Sequence, residues 1–153
     1  MKLNINTDEG RLRILLIGEY HHTIDAKGRV MMPVKFREDF GDKFVLTKGL
    51  NNCLVIYSLK EWALFEARIK ELSFLESMEM QRFFSTGGDI ELDKLGRMLI
   101  PAHLRLYAGL DNKDVVITGA SNRAELWDMG KWNEISSKLT SDRMVEIMGR
   151  VGF

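Results

Sequence analysis

Asp25-Ala-Lys-Gly-Arg-Val-Met-Met-Pro-Val-Lys-Phe-Arg37 returns in the same chain as Asp93-Lys-Leu-Gly-Arg-Met-Leu-Ile-Pro-Ala-His-Leu-Arg105. Five of the thirteen positions are identical, and five more pair one apolar residue with another. Average residue usage would give roughly one identity in such a window. A tandem duplication restricts the possible folds more than any single residue does, because each copy is one supersecondary unit that needs its neighbour to cover its apolar surface. What this duplication repeats is a basic turn, not a catalytic constellation.

Each copy reads as β-β-α-β-β. In the first, Glu19 to Ile24 has strand composition, Asp25 to Gly28 is a turn, and Arg29 to Met32 is a second strand, together a hairpin. Three consecutive apolar residues, Val30-Met31-Met32 and Met98-Leu99-Ile100, put side chains on both faces, so these strands are expected to be covered on both sides. Pro33 with Gly41, and Pro101 with Gly109, bracket short helices. A hairpin follows in each copy: Phe44 to Thr47 and Leu54 to Tyr57 around Asn51-Asn52, then Val115 to Thr118 and Glu125 to Trp127 around Ser121-Asn122-Arg123. Both copies end in matched aromatic spacing, Tyr57-x4-Trp62 and Trp127-x4-Trp132, where helices begin.

The linker helix carries Trp62, Phe65, Ile69 and Leu72 at spacings of three and four, followed by a more broken Met78 to Phe84 segment. The C-terminal helix carries Trp132, Ile135 and Leu139, then Met144, Ile147 and Met148 after a break at Thr140-Ser141. These stripes read as packing surface, part of the folded body or of a contact between copies. The resulting division is an N-terminal extension at 1–17, repeat 1 at 18–63, a helical linker at 64–87, repeat 2 at 88–132 and a C-terminal helical segment at 133–153. The extension, with Asp8, Glu9, Arg11 and Arg13, is expected to be disordered or loosely attached.

No apolar run approaches the roughly 20 residues a membrane helix needs, which places the chain in the cytoplasm. The single cysteine, Cys53, is read as buried and inert, in keeping with a reducing compartment. Catalysis finds no support. His21, His22 and His103 are the only histidines and lack metal-ligand spacing; no phosphate loop or nucleophile elbow occurs. Asp25 and Asp93 face arginines that would keep them ionised. No cofactor, metal or small-molecule substrate is expected.

Lys plus Arg equals Asp plus Glu at 22 each, so any nucleic-acid contact must rest on locally concentrated charge. In the repeated turn, Gly28 and Gly96 permit a positive φ, and Asp25 and Asp93 accept hydrogen bonds from turn amides or from Arg29 and Arg97. For the arginines two readings stand side by side. One is structural; the other has Arg29, helped by Lys27, reaching phosphate oxygens or the N7 and O6 acceptors of guanine through its planar fork. Arg37 and Arg105, one helical turn beyond Pro33 and Pro101, are read as structural.

Gly18-Glu-Tyr-His-His-Thr-Ile-Asp-Ala-Lys-Gly-Arg29 with Pro33 and Arg37, Glu91-Leu-Asp-Lys-Leu-Gly-Arg97, and Ser121-Asn-Arg-Ala-Glu-Leu-Trp127 together resemble the MraZ family of bacterial transcriptional regulators, over about residues 18 to 153. The resemblance implies an α+β, mainly β fold: tandem swapped-hairpin repeats of the SpoVT-AbrB type, forming one double-split β-barrel with peripheral helices. It implies a sequence-specific, nucleoid-associated regulator that assembles as a ring homo-oligomer on double-stranded DNA. The expected site is short G-rich direct repeats at the promoter of its own division and cell-wall gene cluster, usually with repression. The position matching the family's DNA-contacting arginine is Arg29. Leu95 stands where the first motif has Lys27, and Lys94 partly compensates; contact is therefore expected mainly from Lys27 and Arg29, with Arg97 and Lys94 contributing less. An antitoxin-like or purely structural oligomerisation module is the alternative.

Overall fold

A computed structural model of the chain describes residues 2–6, 12–111 and 113–152. Two strands, β1 (Lys2–Asn6) and β2 (Leu12–Leu16), pair antiparallel with Lys2 opposite Leu16. The expected extension, disordered or loosely attached, thus carries a two-stranded sheet separate from the main one. The strict polar–apolar alternation of Lys-Leu-Asn-Ile-Asn is a strand pattern that outweighs its mixed charge. Asp8, Glu9 and Arg11 lie outside the described residues.

Repeat 1 continues as β3 (Glu19–Thr23), β4 (Arg29–Met31), α1 (Val34–Phe40), β5 (Lys43–Lys48) and β6 (Leu54–Ser58). Then come α2 (Leu59–Ile69) and α3 (Phe74–Phe84). Repeat 2 gives β7 (Gly88–Glu91), β8 (Arg97–Leu99), α4 (Ala102–Ala108), β9 (Asp114–Gly119) and β10 (Ala124–Asp128), followed by α5 (Met129–Ser136) and α6 (Ser141–Arg150).

The strands do not pair repeat by repeat. Six of them form one antiparallel sheet in the order β3-β9-β10-β6-β5-β7, and β4 pairs with β8 in a separate two-stranded ribbon. Only β5–β6 and β9–β10 are hairpins within a repeat. The outer strand of each half comes from the other copy: β3 lies on β9 with His21 opposite Val116, and β7 lies on β5 with Phe44 opposite Ile90. The hairpin expected from β3 and β4 is reduced to a single bridge between Ile24 and Val30. Nor is the expected barrel closed, since β3 and β7 remain the free edges of an open sheet. The reason lies in β4 and β8, three residues long and each followed by a segment ending in proline, which has no N–H to extend a ladder.

The sheet is covered on both faces. One core gathers Val30, Met32, Phe36, Phe44, Leu46 and Ile56 with Met98, Ile100, Leu104 and Ile117, so residues of both copies share one interior beneath the ribbon and helices α1 and α4. The opposite face buries Val45, Cys53, Val55, Tyr57, Val116 and Trp127 against Trp62 of α2 and Trp132 and Ile135 of α5. Tyr57 stands 5.6 Å from Trp62, and Trp127 6.0 Å from Trp132, so the matched spacings make matched aromatic contacts. Ile69 is buried on the α2 stripe, while α3 returns to place Phe84 5.3 Å from Phe65.

Repeat 2 lacks that return. Thr140 caps α6, accepting a hydrogen bond from the Arg143 amide at 3.2 Å, but every residue of α6 is exposed. Of the two places expected for the C-terminal stripe, the folded body receives α5, while α6 is left uncovered within the single chain. Met144, Ile147, Met148 and Val151 form an uncovered face at helical spacing.

Candidate nucleic-acid interface

The two repeated turns are nearly superposable in their bonding. In the first, the Gly28 amide donates to the Asp25 carbonyl at 2.9 Å and the Asp25 amide to the Arg29 carbonyl at 3.0 Å. In the second, Gly96 donates to Asp93 at 2.9 Å and Asp93 to Arg97 at 2.9 Å. Both turns need left-handed backbone, with φ of 84° at Gly28 and 80° at Gly96, and so need glycine.

The aspartates organise these turns. Asp25 Oδ1 accepts from the amides of Lys27 and Arg29, both at 2.9 Å, while Oδ2 accepts from Arg29 Nε at 2.6 Å. Asp93 repeats the pattern with the amides of Leu95 and Arg97 at 2.9 Å and with Arg97 Nε at 2.8 Å. The hydrogen bond donated by the Arg29 backbone amide is the main cause holding the Asp25 carboxyl below its ordinary range, with the Arg29 side chain and the Lys27 amide adding to it; Arg97 and Leu95 do the same for Asp93. Each carboxylate is thus an ionised acceptor committed to its own turn. The two do not form an acid–base pair.

Their grip also aims the arginines. Nε of each guanidinium is held, which leaves the Nη fork of Arg29 and of Arg97 without a hydrogen bond among the described residues. That fork is the part of arginine that makes paired bonds to phosphate or to a guanine edge. The environments match closely: side-chain exposure is 29% for Arg29 and 27% for Arg97. Lys27 and Lys94 are exposed and make no ion pair among the described residues.

The ribbon then brings the two turns onto one surface. Arg29 pairs with Leu99, Val30 with Met98 and Met31 with Arg97. Beyond the ladder, the Met32 amide donates to Gly96 O at 3.0 Å and the Ile100 amide to Gly28 O at 2.8 Å, so a pseudo-dyad passes through the Val30–Met98 pair. Alternation sends Val30 and Met98 into the core and leaves Arg29, Met31, Arg97 and Leu99 on the outer face. Arg29 and Arg97 are diagonal neighbours there, with Cα atoms about 7–8 Å apart in regular ribbon geometry. Coverage on both faces, expected from the apolar triplets, is therefore not found, since Met31 is 38% and Leu99 54% exposed.

Arg37 and Arg105 cross between the copies. Arg105 of α4 donates from Nη1 to the Ile100 carbonyl at 2.6 Å, and its guanidinium lies against Gly28, the turn of the other repeat. Arg37 of α1 lies in the same way against Gly96. A Cβ at either glycine would displace the visiting guanidinium, the flexible end of a long side chain, so the positive φ remains the main reason for glycine at these turns. Both guanidiniums thus lie against the turn of the opposite repeat, a contact across the repeat boundary that their sequence neighbours do not reveal. Pro33 and Pro101 stand immediately before α1 and α4, at φ of −54° and −57°, and set the angle at which each helix delivers its arginine.

All twelve of the turn and basic residues singled out from sequence therefore lie in two turns, one ribbon and two short helices with the prolines that precede them. Met31 and Leu99 also belong to this surface and were missed, whereas Leu95, 63% exposed at the second tip, was noted only as the replacement for Lys27. Only the register of β4 on β8, which no local pattern encodes, reveals them. Cys53 stands apart on the other face of the sheet; burial, with Glu125 adding to it, pushes its thiol up to about 12.

A basic face assembled from duplicated turns has close relatives. The family model described as "MraZ protein, putative antitoxin-like" matches the chain twice, over residues 15–82 and 83–148. A transcriptional regulator MraZ of Acetivibrio thermocellus is 48% identical over 143 residues, covering 90% of this chain and 99% of that protein. One from Thermoanaerobacter sp. strain X514 is 52% identical over 126 residues, covering 80% and 87%. Another, from Caldicellulosiruptor bescii, is 46% identical over 143 residues, with 90% and 99% covered. With both repeats matched in tandem and relatives covered almost end to end, the chain belongs to the MraZ family.

Proposed function

We propose that the chain is a sequence-specific DNA-binding transcriptional regulator, not an enzyme, and that the outer face of the β4–β8 ribbon is its DNA-binding surface. The observation that carries this reading is the diagonal placement of Arg29 and Arg97 on one exposed ribbon, each with its Nη fork open among the described residues. Lys27 and Lys94 extend the cationic surface at the turns, and Arg37 and Arg105 brace it from the opposite repeat. Because the two turns are geometrically alike, both motifs contribute; the difference between them is confined to Lys27 against Leu95 and Ala26 against Lys94. The exchange of β3 and β7 between repeats supports a swapped-hairpin relationship to the SpoVT-AbrB superfamily.

The finer reading follows the family. The chain binds short G-rich direct repeats upstream of its own division and cell-wall gene cluster, represses it, and works in the cytoplasm at the nucleoid as a ring of several copies. Among the described residues no helix is long and apolar enough to cross a membrane. Assembly is supported by α6, whose uncovered Met144, Ile147, Met148 and Val151 stripe offers a second copy an apolar contact. Linked copies would raise avidity steeply without any new contact type, which removes the objection posed by zero net charge. The antitoxin-like alternative draws on the same helix, which could hold a different protein.

Two variants test these readings. Arg29→Ala should lose binding to DNA from upstream of its own gene in gel-shift titration while keeping the native oligomer mass. Truncation after Thr140 should keep the fold and lower that mass. If Arg29→Ala shifted the DNA as wild type does, the DNA-binding reading would be wrong; if the truncated chain kept its mass, α6 would not be the contact.

A further inference from the structure

Met31 and Leu99 are exposed while their neighbours Val30, Met32, Met98 and Ile100 are fully buried. They occupy the centre of the cationic face, each directly opposite an arginine: Met31 against Arg97, and Leu99 against Arg29. Apolar side chains add nothing to phosphate binding, for which cations alone suffice. A two-stranded ribbon fits the major groove, and there one base presents an apolar group, the C5 methyl of thymine. Apolar surface held between two arginine forks is matched to a thymine methyl lying beside a guanine or a phosphate.

We infer that Met31 and Leu99 read thymine methyl groups in the major groove, and that Leu95 fixes the direction in which the ribbon lies on the duplex. This rests on the DNA-binding reading above. The pseudo-dyad exchanges Arg29 with Arg97 and Met31 with Leu99, and a perfectly dyadic surface would bind a sequence equally well in either direction. It also exchanges Lys27 with Leu95, and there the symmetry fails. At the third turn position one tip offers the ammonium of Lys27 and the other the exposed apolar Leu95, with its ammonium displaced by one residue to Lys94, so the two ends favour different bases. A site lacking inverted symmetry is then bound one way round, as successive direct repeats require.

The test is a thymine-to-deoxyuridine scan, one position at a time, through duplex DNA from upstream of the chain's own gene, read by fluorescence anisotropy. Wild-type protein should lose roughly fourfold in affinity for each contacted methyl removed, the transfer value of one buried methyl group. Protein carrying Met31→Ala and Leu99→Ala should keep wild-type circular dichroism and oligomer mass yet bind both duplexes alike at those positions. Leu95→Lys, which makes the two tips alike at the third turn position, should keep the uracil effect yet bind a duplex with one repeat inverted as well as it binds the direct repeats. Wild type should bind the inverted duplex more weakly, and wild type that bound both alike would overturn the assignment to Leu95. If wild type ignored uracil at every position while Arg29→Ala lost binding, the methyl reading would fail and DNA binding would stand. Arg29→Ala and Arg97→Ala proteins that bound like wild type would remove both readings together. A double variant that changed oligomer mass but still distinguished uracil would make this face a contact between copies, which also overturns the proposal.

Discussion

Substitution of Arg29 by alanine separates the two jobs its side chain could perform on DNA. A cation that neutralises a phosphate releases counterions, and the slope of log affinity against log salt falls by about 0.9 for each such contact. If Lys27, Arg29, Lys94 and Arg97 all meet phosphates, each engaged copy contributes a slope of about −3.6. Losing Arg29 should then make the slope shallower by about 0.9 per engaged copy, so the change divided by 0.9 counts the copies on the DNA. If the fork instead holds guanine N7 and O6, the loss is about 1–3 kcal/mol per contact, roughly 5- to 150-fold, with little change in slope and relaxed preference at one base. The turn itself should survive, because Asp25 still accepts from two backbone amides at 2.9 Å. The melting temperature should move by no more than about 3 °C, the scale of a surface ion pair in a chain of this size. Anisotropy titrations from 50 to 200 mM salt, beside calorimetry and native mass measurement, distinguish the outcomes. Unchanged slope and unchanged affinity in folded Arg29→Ala protein would refute the reasoning.

Three other outcomes are expected. Gly28→Ala or Gly96→Ala should each cost about 1–3 kcal/mol through the left-handed backbone, with a further loss from displacing Arg105 or Arg37, visible as a melting temperature lower by several degrees in calorimetry. Asp25 and Asp93 titrate below the ordinary carboxylate range in the folded chain, so their contribution is intact above that range and is lost as pH falls through the depressed values. Asp25→Asn should flatten the acid limb of an unfolding curve, and an unchanged limb would contradict the hydrogen-bonding assigned to the turn. Cys53, buried and with its thiol pushed up to about 12, should resist a thiol reagent at pH 8 in the native state and react fully in guanidinium.

What could be read without coordinates was whatever the chain encodes locally. Pro33 and Gly41, Pro101 and Gly109, the Asn51-Asn52 turn and the Tyr57/Trp62 and Trp127/Trp132 spacings mark their elements correctly, because φ preference and aromatic periodicity act within a few residues. Pairing between distant strands carries no such mark. The step of β4 onto β8 rather than β3, and the reach of Arg105 to Gly28, follow from mutual burial of Val30 and Met98 over a separation of 68 residues. The exposure of Met31 and Leu99 was illegible for the same reason. An apolar triplet reads alike whether its middle residue is covered or left on a surface for use.

The exchange of β3 and β7 between the halves makes the sequence repeat a poor unit of folding. Neither half of the chain, severed near Gly87, would retain its own edge strand partner, its ribbon partner or the arginine that braces its turn. Two such fragments made separately should therefore recognise each other and rebuild the sheet by complementation. A fragment without its mate would have one remaining way to satisfy the same edges, by pairing with another copy of itself. Covalent joining of the halves thus holds unlike tips on one ribbon, a pairing that two identical halves could never provide.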